Sequence, residues 1–119
     1  MCGIAGYINK VDKPISCTGV INRMLYVQRH RGPDDTGIRA LSFKESKSIE
    51  LPVKENISLS NSFNGVLGFN RLSILDLSSA GHQPMTSNDG KVILVMNGEI
   101  YNAFDYVDEL KSFGYVFKG

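Results

Sequence analysis

Lys91-Val92-Ile93-Leu94-Val95-Met96-Asn97-Gly98 is the stretch from which the rest of the chain can be read. Its apolar residues follow one another without alternation, which predicts a strand covered on both faces and therefore central in its sheet. Asn97-Gly98 ends it and carries two meanings. Asn-Gly is the commonest tight hairpin turn. An Asn amide beside a Gly backbone N–H, at the end of a rigid strand, is also a donor pair suited to an oxyanion. Glu99, next in line, can accept from an ammonium group.

Toward the C-terminus, residues 103–113 carry Phe104, Val107 and Leu110 at helical spacing, and Gly114 closes that helix. Tyr115-Val116-Phe117 begins another strand. Toward the N-terminus, residues 77–90 are rich in Ser, Gly, Pro and Asn and read as a long connection. Residues 57–63 and 66–74 read as strands, 44–56 as a lysine-rich surface loop, and 37–43 as a strand. Arg31-Gly32-Pro33-Asp34-Asp35-Thr36-Gly37 is dense in turn formers and reads as a loop. Before it, a helix capped by Thr18 or Ser16 carries Val20, Ile21, Met24 and Leu25 and ends near Arg29. Residues 3–9 form a buried strand. The sum is two helices and roughly six or seven strands, mostly joined directly, which argues for antiparallel sheet in an α+β or layered fold. The chain stops at Lys118-Gly119, at the end of a strand, and reads as the N-terminal part of something longer.

The 119 residues suit one domain. Apolar residues make up 42%, enough for a core, and 13 basic residues balance 12 acidic ones. Arg29-His30-Arg31 runs straight into Asp34-Asp35. Neither nucleic acid nor an anionic membrane is an expected partner. No apolar run has the length of a membrane span, and Met1 to Lys10 lacks the pattern of a signal peptide. The expectation is a cytoplasmic protein with reduced thiols. Cys2 and Cys17 make no disulfide framework, and Cys17 reads as a small buried side chain.

Four segments carry chemistry. Removal of Met1 before a small residue would leave Cys2 as the N-terminus, a nucleophile and a base in one residue. The α-amine titrates near about 7.7–8.0 and a free thiol near about 8.5, so proton transfer between them is nearly balanced. Arg71 lies inside an apolar strand and needs a partner, either a bound carboxylate or a structural one such as Asp76. The Asn97–Glu99 segment is the third. His30, Asp34, Asp35 and His82 match no familiar metal-ligand spacing, so no metal is expected, and the Arg31 loop reads as a rigid charged element.

Taken together, Met1-Cys2-Gly3-Ile4-Ala5-Gly6, His30-Arg31-Gly32-Pro33-Asp34, Arg71-Leu72-Ser73-Ile74-Leu75-Asp76, Gly81-His82-Gln83-Pro84-Met85 and Asn97-Gly98-Glu99-Ile100-Tyr101-Asn102 follow in this order. The chain resembles, along its whole length, the class II glutamine amidotransferase domain of glutamine-hydrolysing asparagine synthetases, among the N-terminal-nucleophile hydrolases. The resemblance implies a four-layer αββα sandwich of two mainly antiparallel sheets, incomplete in residues 1–119. It implies Cys2 as nucleophile and base, with Asn97 and Gly98 at the oxyanion. Arg71 would hold the glutamine α-carboxylate. Leu72, Ser73, Ile74, Leu75 and Glu99 would line the rest of the substrate, and the Arg31 loop would lie over the pocket. The domain itself needs no cofactor. ATP and Mg are implied for a following synthetase domain, which would take the ammonia and amidate a carboxylate, aspartate by default. A homodimer is left open.

The pattern departs from the family at Phe69-Asn70, where a His or Ala and another polar residue are often found. A Ser/Thr-Asp segment that would bind the substrate ammonium is absent from these residues. Two classes of function therefore stand side by side: a glutaminase feeding a synthetase domain, and a non-catalytic piece that only folds or binds. Residues 1–119 alone are expected to be inactive.

Overall fold

The computed structural model describes residues 1–54 and 56–117. In chain order these form β1 (Gly3–Ile8), α1 (Gly19–Val27), β2 (Asp35–Ser42), β3 (Lys47–Leu51), β4 (Gly65–Arg71), β5 (Met85–Thr86), β6 (Ile93–Leu94) and α2 (Val107–Ser112). Short 3-10 turns stand at Arg29–Arg31, Ser79–Gly81 and Ala103–Tyr106. The first four strands make one antiparallel sheet in the order β1-β4-β2-β3, and β5 and β6 make a second. Two antiparallel sheets with two helices give the α+β class and fit the expected sandwich.

Register explains the core. Residues directly opposite share a face, so Ala5, Ile38, Ala40, Val66 and Leu51 stand on one side of the larger sheet. Ile21 and Leu25 of α1 pack there, with Ile15 and Phe63 completing the cluster. Two buried amides lock this face. Asn70 donates through Nδ2 to the Leu25 carbonyl (2.7 Å) and accepts from the Thr36 hydroxyl (2.9 Å). Leu25 lies in the last turn of α1, where carbonyls have no partner within the helix. Asn64 accepts from the Phe43 N–H (3.1 Å) and donates to the Asn9 carbonyl (3.0 Å). The opposite face buries Phe69 and Leu41, while Ile4 and Ile8 are exposed.

Several sequence readings need correction. The run 91–96 is not a central strand: only Ile93–Leu94 pair, with Met85–Thr86, and Val92 and Leu94 are exposed. An unbroken apolar run reports a capacity for burial on two faces. It does not say that two strands flank it. Residues 44–56 hold a strand, β3, which pairs on one side with β2 and tolerates Lys47 and Glu50 because it is an edge. Residues 57–63 form no strand. They run beside residues 15–18 through Thr18 N–H to Ile57 O, Leu59 N–H to Ser16 O and a single bridge, Cys17 with Ser58.

Asp35, Thr36 and Gly37 belong to β2, paired with Arg71, Asn70 and Phe69, although their composition is that of a loop. β4 ends at Arg71, so Leu72 to Ile74 lie outside it. Thr18 stands at the N-cap of α1, but its hydroxyl accepts from the Ile57 N–H and from the side chain of Asn22 in α1, not from a backbone N–H of the helix. The helix expected over 103–113 is a 3-10 turn followed by α2, and Gly114 follows as expected. Tyr115 to Phe117 form no strand, and Lys118-Gly119 lie outside the described residues.

Candidate active site

Cys2 immediately precedes β1, and the pairing of Gly3 with Asn70 carries it to the end of β4. There it is held at three atoms. The Leu72 N–H donates to Sγ (3.3 Å), and the Leu72 carbonyl lies 3.8 Å from the same sulfur. Arg31 Nε donates to the Cys2 carbonyl (3.1 Å). The Cys2 backbone N–H donates to Asn97 Oδ1 (3.2 Å). The main chain and the thiol of Cys2 thus have fixed directions, set by a side chain from the Arg29–Arg31 turn, a backbone amide after β4 and a side chain after β6.

Arg71 is buried, yet it has no ion pair among the described residues. Its Nη1 donates to the Ser78 carbonyl (2.7 Å) and its Nη2 to the Asp76 carbonyl. The alternative of a salt bridge to the Asp76 carboxylate is not what forms. That carboxyl is held below its usual range by the Ser78 hydroxyl and backbone N–H, with the Arg71 charge a smaller influence. Carbonyls use two of the five guanidinium N–H groups, and no carboxylate among the described residues is in salt-bridge contact with it. Gly81 packs so closely on the guanidinium that a Cβ there would overlap it. Asp34, Arg71, Ser73, Ser78 and His82 line an open cleft of about 250 Å³.

The remaining site residues are placed unevenly. The Ser73 N–H donates to Asp34 Oδ2 (2.7 Å), and the Asp34 N–H donates to the Arg71 carbonyl (3.0 Å). Ile74 and Leu75 are exposed, as are Asn97, Gly98 and Glu99. Of this last group only Asn97 is brought to Cys2 by a bond. Glu99 makes no hydrogen bond or ion pair among the described residues. His82 bridges Asp35 (2.6 Å) and Glu50 (2.9 Å), and His30 is exposed. A larger groove, about 930 Å³, runs between α1 and Pro33 to Thr36 with Val53, Lys54 and Asn56, and its lining includes neither Cys2 nor Asn97. No group of three or more His, Cys, Asp or Glu among the described residues is placed to hold a metal ion. No helix among them is long and apolar enough to cross a membrane.

Sequence reasoning missed the grip on Cys2. A backbone N–H such as that of Leu72 has no residue signature. Arg31 was visible as part of a charged turn, but the direction of its Nε depends on how the Arg29–Arg31 turn meets β4.

The structure therefore has a cysteine centre at the leading end of an antiparallel sheet in an α+β domain, with an arginine that makes no salt bridge among the described residues brought near it by the strand register. The chain belongs to the glutamine amidotransferase domain family, which it matches over residues 52–119. It is 39% identical over 116 residues to a putative asparagine synthetase [glutamine-hydrolyzing] 2 of Methanocaldococcus jannaschii, covering 86% of this chain and 19% of the relative. It is 33% identical over 121 residues to asparagine synthetase [glutamine-hydrolyzing] 1 of Bacillus subtilis, covering 98% and 15%. A rice relative, asparagine synthetase [glutamine-hydrolyzing] 2 of Oryza sativa, is 30% identical over 112 residues, covering 94% and 15%. The chain thus spans between a seventh and a fifth of the length of these relatives. No solved structure matches it significantly.

Proposed function

We propose that, in the full-length protein, this chain hydrolyses the side-chain amide of glutamine through Cys2 and passes the ammonia to a synthetase domain. The observation that carries the reading is the three-point hold on Cys2 by Leu72, Arg31 and Asn97. Once Met1 is removed, the α-amine takes the thiol proton, directly or through one water. Sγ attacks the amide carbon. With Asn97 Oδ1 turned to the Cys2 nitrogen, its two Nδ2 protons remain for the oxyanion, joined by the Gly98 N–H. Collapse returns the proton to the leaving nitrogen, releases ammonia and leaves a glutamyl thioester. Water then adds, the thiol departs, and glutamate is formed.

Arg71 would hold the substrate α-carboxylate, since its partners in the fold are carbonyls and none neutralises it. Glu99 and the main chain from Leu72 to Leu75 would position the rest of the amino acid. The names of the relatives favour aspartate as the acceptor of the ammonia, with ATP and Mg serving the synthetase domain in a cytoplasmic enzyme. A homodimer is compatible with this arrangement. The test is Cys2→Ala in the full-length protein. Glutamine-dependent amide synthesis should disappear while ammonia-dependent synthesis remains. Retained glutamine-dependent synthesis would contradict the reading.

A further inference from the structure

The motif Gly81-His82-Gln83-Pro84-Met85 has no part in the mechanism above, yet each of its first three residues does a definable job. Gly81 lies against the Arg71 guanidinium. His82 ties the segment to Asp35 of β2 and Glu50 of β3. Gln83 is different, because its side chain reaches away from the larger sheet. Its Nε2 donates to the Met96 carbonyl (3.1 Å) and its Oε1 accepts from the Met96 N–H (2.7 Å). The amide takes the place of a strand neighbour, satisfying both backbone groups of one residue. The assignment of its oxygen and nitrogen is forced, since the reverse would set donor against donor.

Met96 is the residue before Asn97. β6 ends at Leu94, so at Met96 the backbone has no ladder partner among the described residues, and the Gln83 amide supplies one. The other side of Gln83 is equally fixed. Its main-chain carbonyl sits so close over Gly37 of β2 that a Cβ there would overlap it. A continuous path therefore runs from the sheet that carries Cys2, through Gly37 and the Gln83 amide, to Met96. From there the Asn97 side chain returns to the Cys2 nitrogen.

Resting on the glutaminase reading above, we propose that Gln83 is a positioning residue that sets Asn97 and Gly98 against Cys2 and so controls the rate of the chemical step. Gln83 does not touch the sulfur or the Cys2 nitrogen. Its effect passes through the backbone of Met96. Losing the two bonds frees Met96 to move by a fraction of an ångström or more. A misplacement of about 1 Å costs on the order of a hundredfold in rate. Substrate anchoring by Arg71 is untouched, so the loss should fall on kcat and not on KM.

The test uses Gln83→Ala and Gln83→Glu in the full-length protein. Active sites are counted by stoichiometric alkylation of Cys2 with iodoacetamide, and glutamate release is expressed per alkylatable Cys2. For Gln83→Ala, kcat per site should fall tenfold or more, with KM for glutamine changed less than about threefold. Gln83→Glu keeps the size and one acceptor but cannot donate to the Met96 carbonyl when ionised, so its loss should also be in kcat. A merely structural role would instead lower the number of alkylatable sites and leave kcat per site intact. That result, or a loss confined to KM, would overturn the inference while the wild type still hydrolyses glutamine. A wild type with full Cys2 alkylation and no glutaminase activity would overturn the function reading and the positioning role with it.

Discussion

Replacing Asn70 should loosen the fold by an amount that the structure allows to be worked out. Asn70 is 1% exposed and serves two buried partners at once, the Leu25 carbonyl at the end of α1 and the Thr36 hydroxyl of β2. Asn70→Leu keeps the branched outline, with bulkier methyl groups, and removes both bonds. The Leu25 carbonyl is then left buried with no donor, at a cost of about 1–3 kcal/mol, and the lost Thr36 bond adds about 0.5–1.5 kcal/mol. A total near 2–4 kcal/mol is expected. Hydrogen exchange by mass spectrometry on the full-length protein reads it locally, in peptides from β2 and β4. Exchange of their protected amides should accelerate roughly 30-fold to several hundredfold. Thr36→Val in the Asn70→Leu background should cost much less than in the wild type, because its partner is already gone. Exchange unchanged within about threefold in Asn70→Leu would refute the view that this amide locks helix to sheet.

Other outcomes follow from the site. Arg71→Lys keeps the charge and loses the planar fork, so KM for glutamine should rise tenfold or more at about 1.5–3 kcal/mol per charge-assisted bond, and unchanged kinetics would leave Arg71 as a clamp on the Asp76 and Ser78 carbonyls alone. Cys2→Ser should lower glutamine hydrolysis about a hundredfold or more, because a hydroxyl is far harder to ionise than a thiol, and steady-state glutamate release checks it.

What the sequence disclosed and what it hid divide along a physical line. The strand 3–8 and the helix 19–27 were legible because their burial alternates or recurs with the period of the element, and the strand 65–71 because it is buried almost throughout. β3 was hidden because an edge strand carries Lys47 and Glu50 at little cost, so its composition is that of a loop. The run at 91–96 was over-read because side chains report how apolar a segment is and not what lies next to it. At the site, Cys2 and Asn97 were found as residues, and the structure joins them. The Leu72 N–H, the reach of Arg31 and the Gln83 amide on Met96 were not found. Each depends on a register or a loop path that no single residue encodes.

The role of Cys2 can be tested most directly by mass. The full-length protein is treated with a diazoketone analogue of glutamine, which traps an attacking thiolate as a stable thioether with loss of dinitrogen, and its N-terminal peptide is then sequenced by mass spectrometry. The expected result is a peptide that begins at Cys2, without Met1, carrying one adduct on Sγ, formed in step with the loss of glutaminase activity. An adduct on Cys17 or elsewhere, or a fully active enzyme that retains Met1, would contradict the assignment of Cys2 as nucleophile and base.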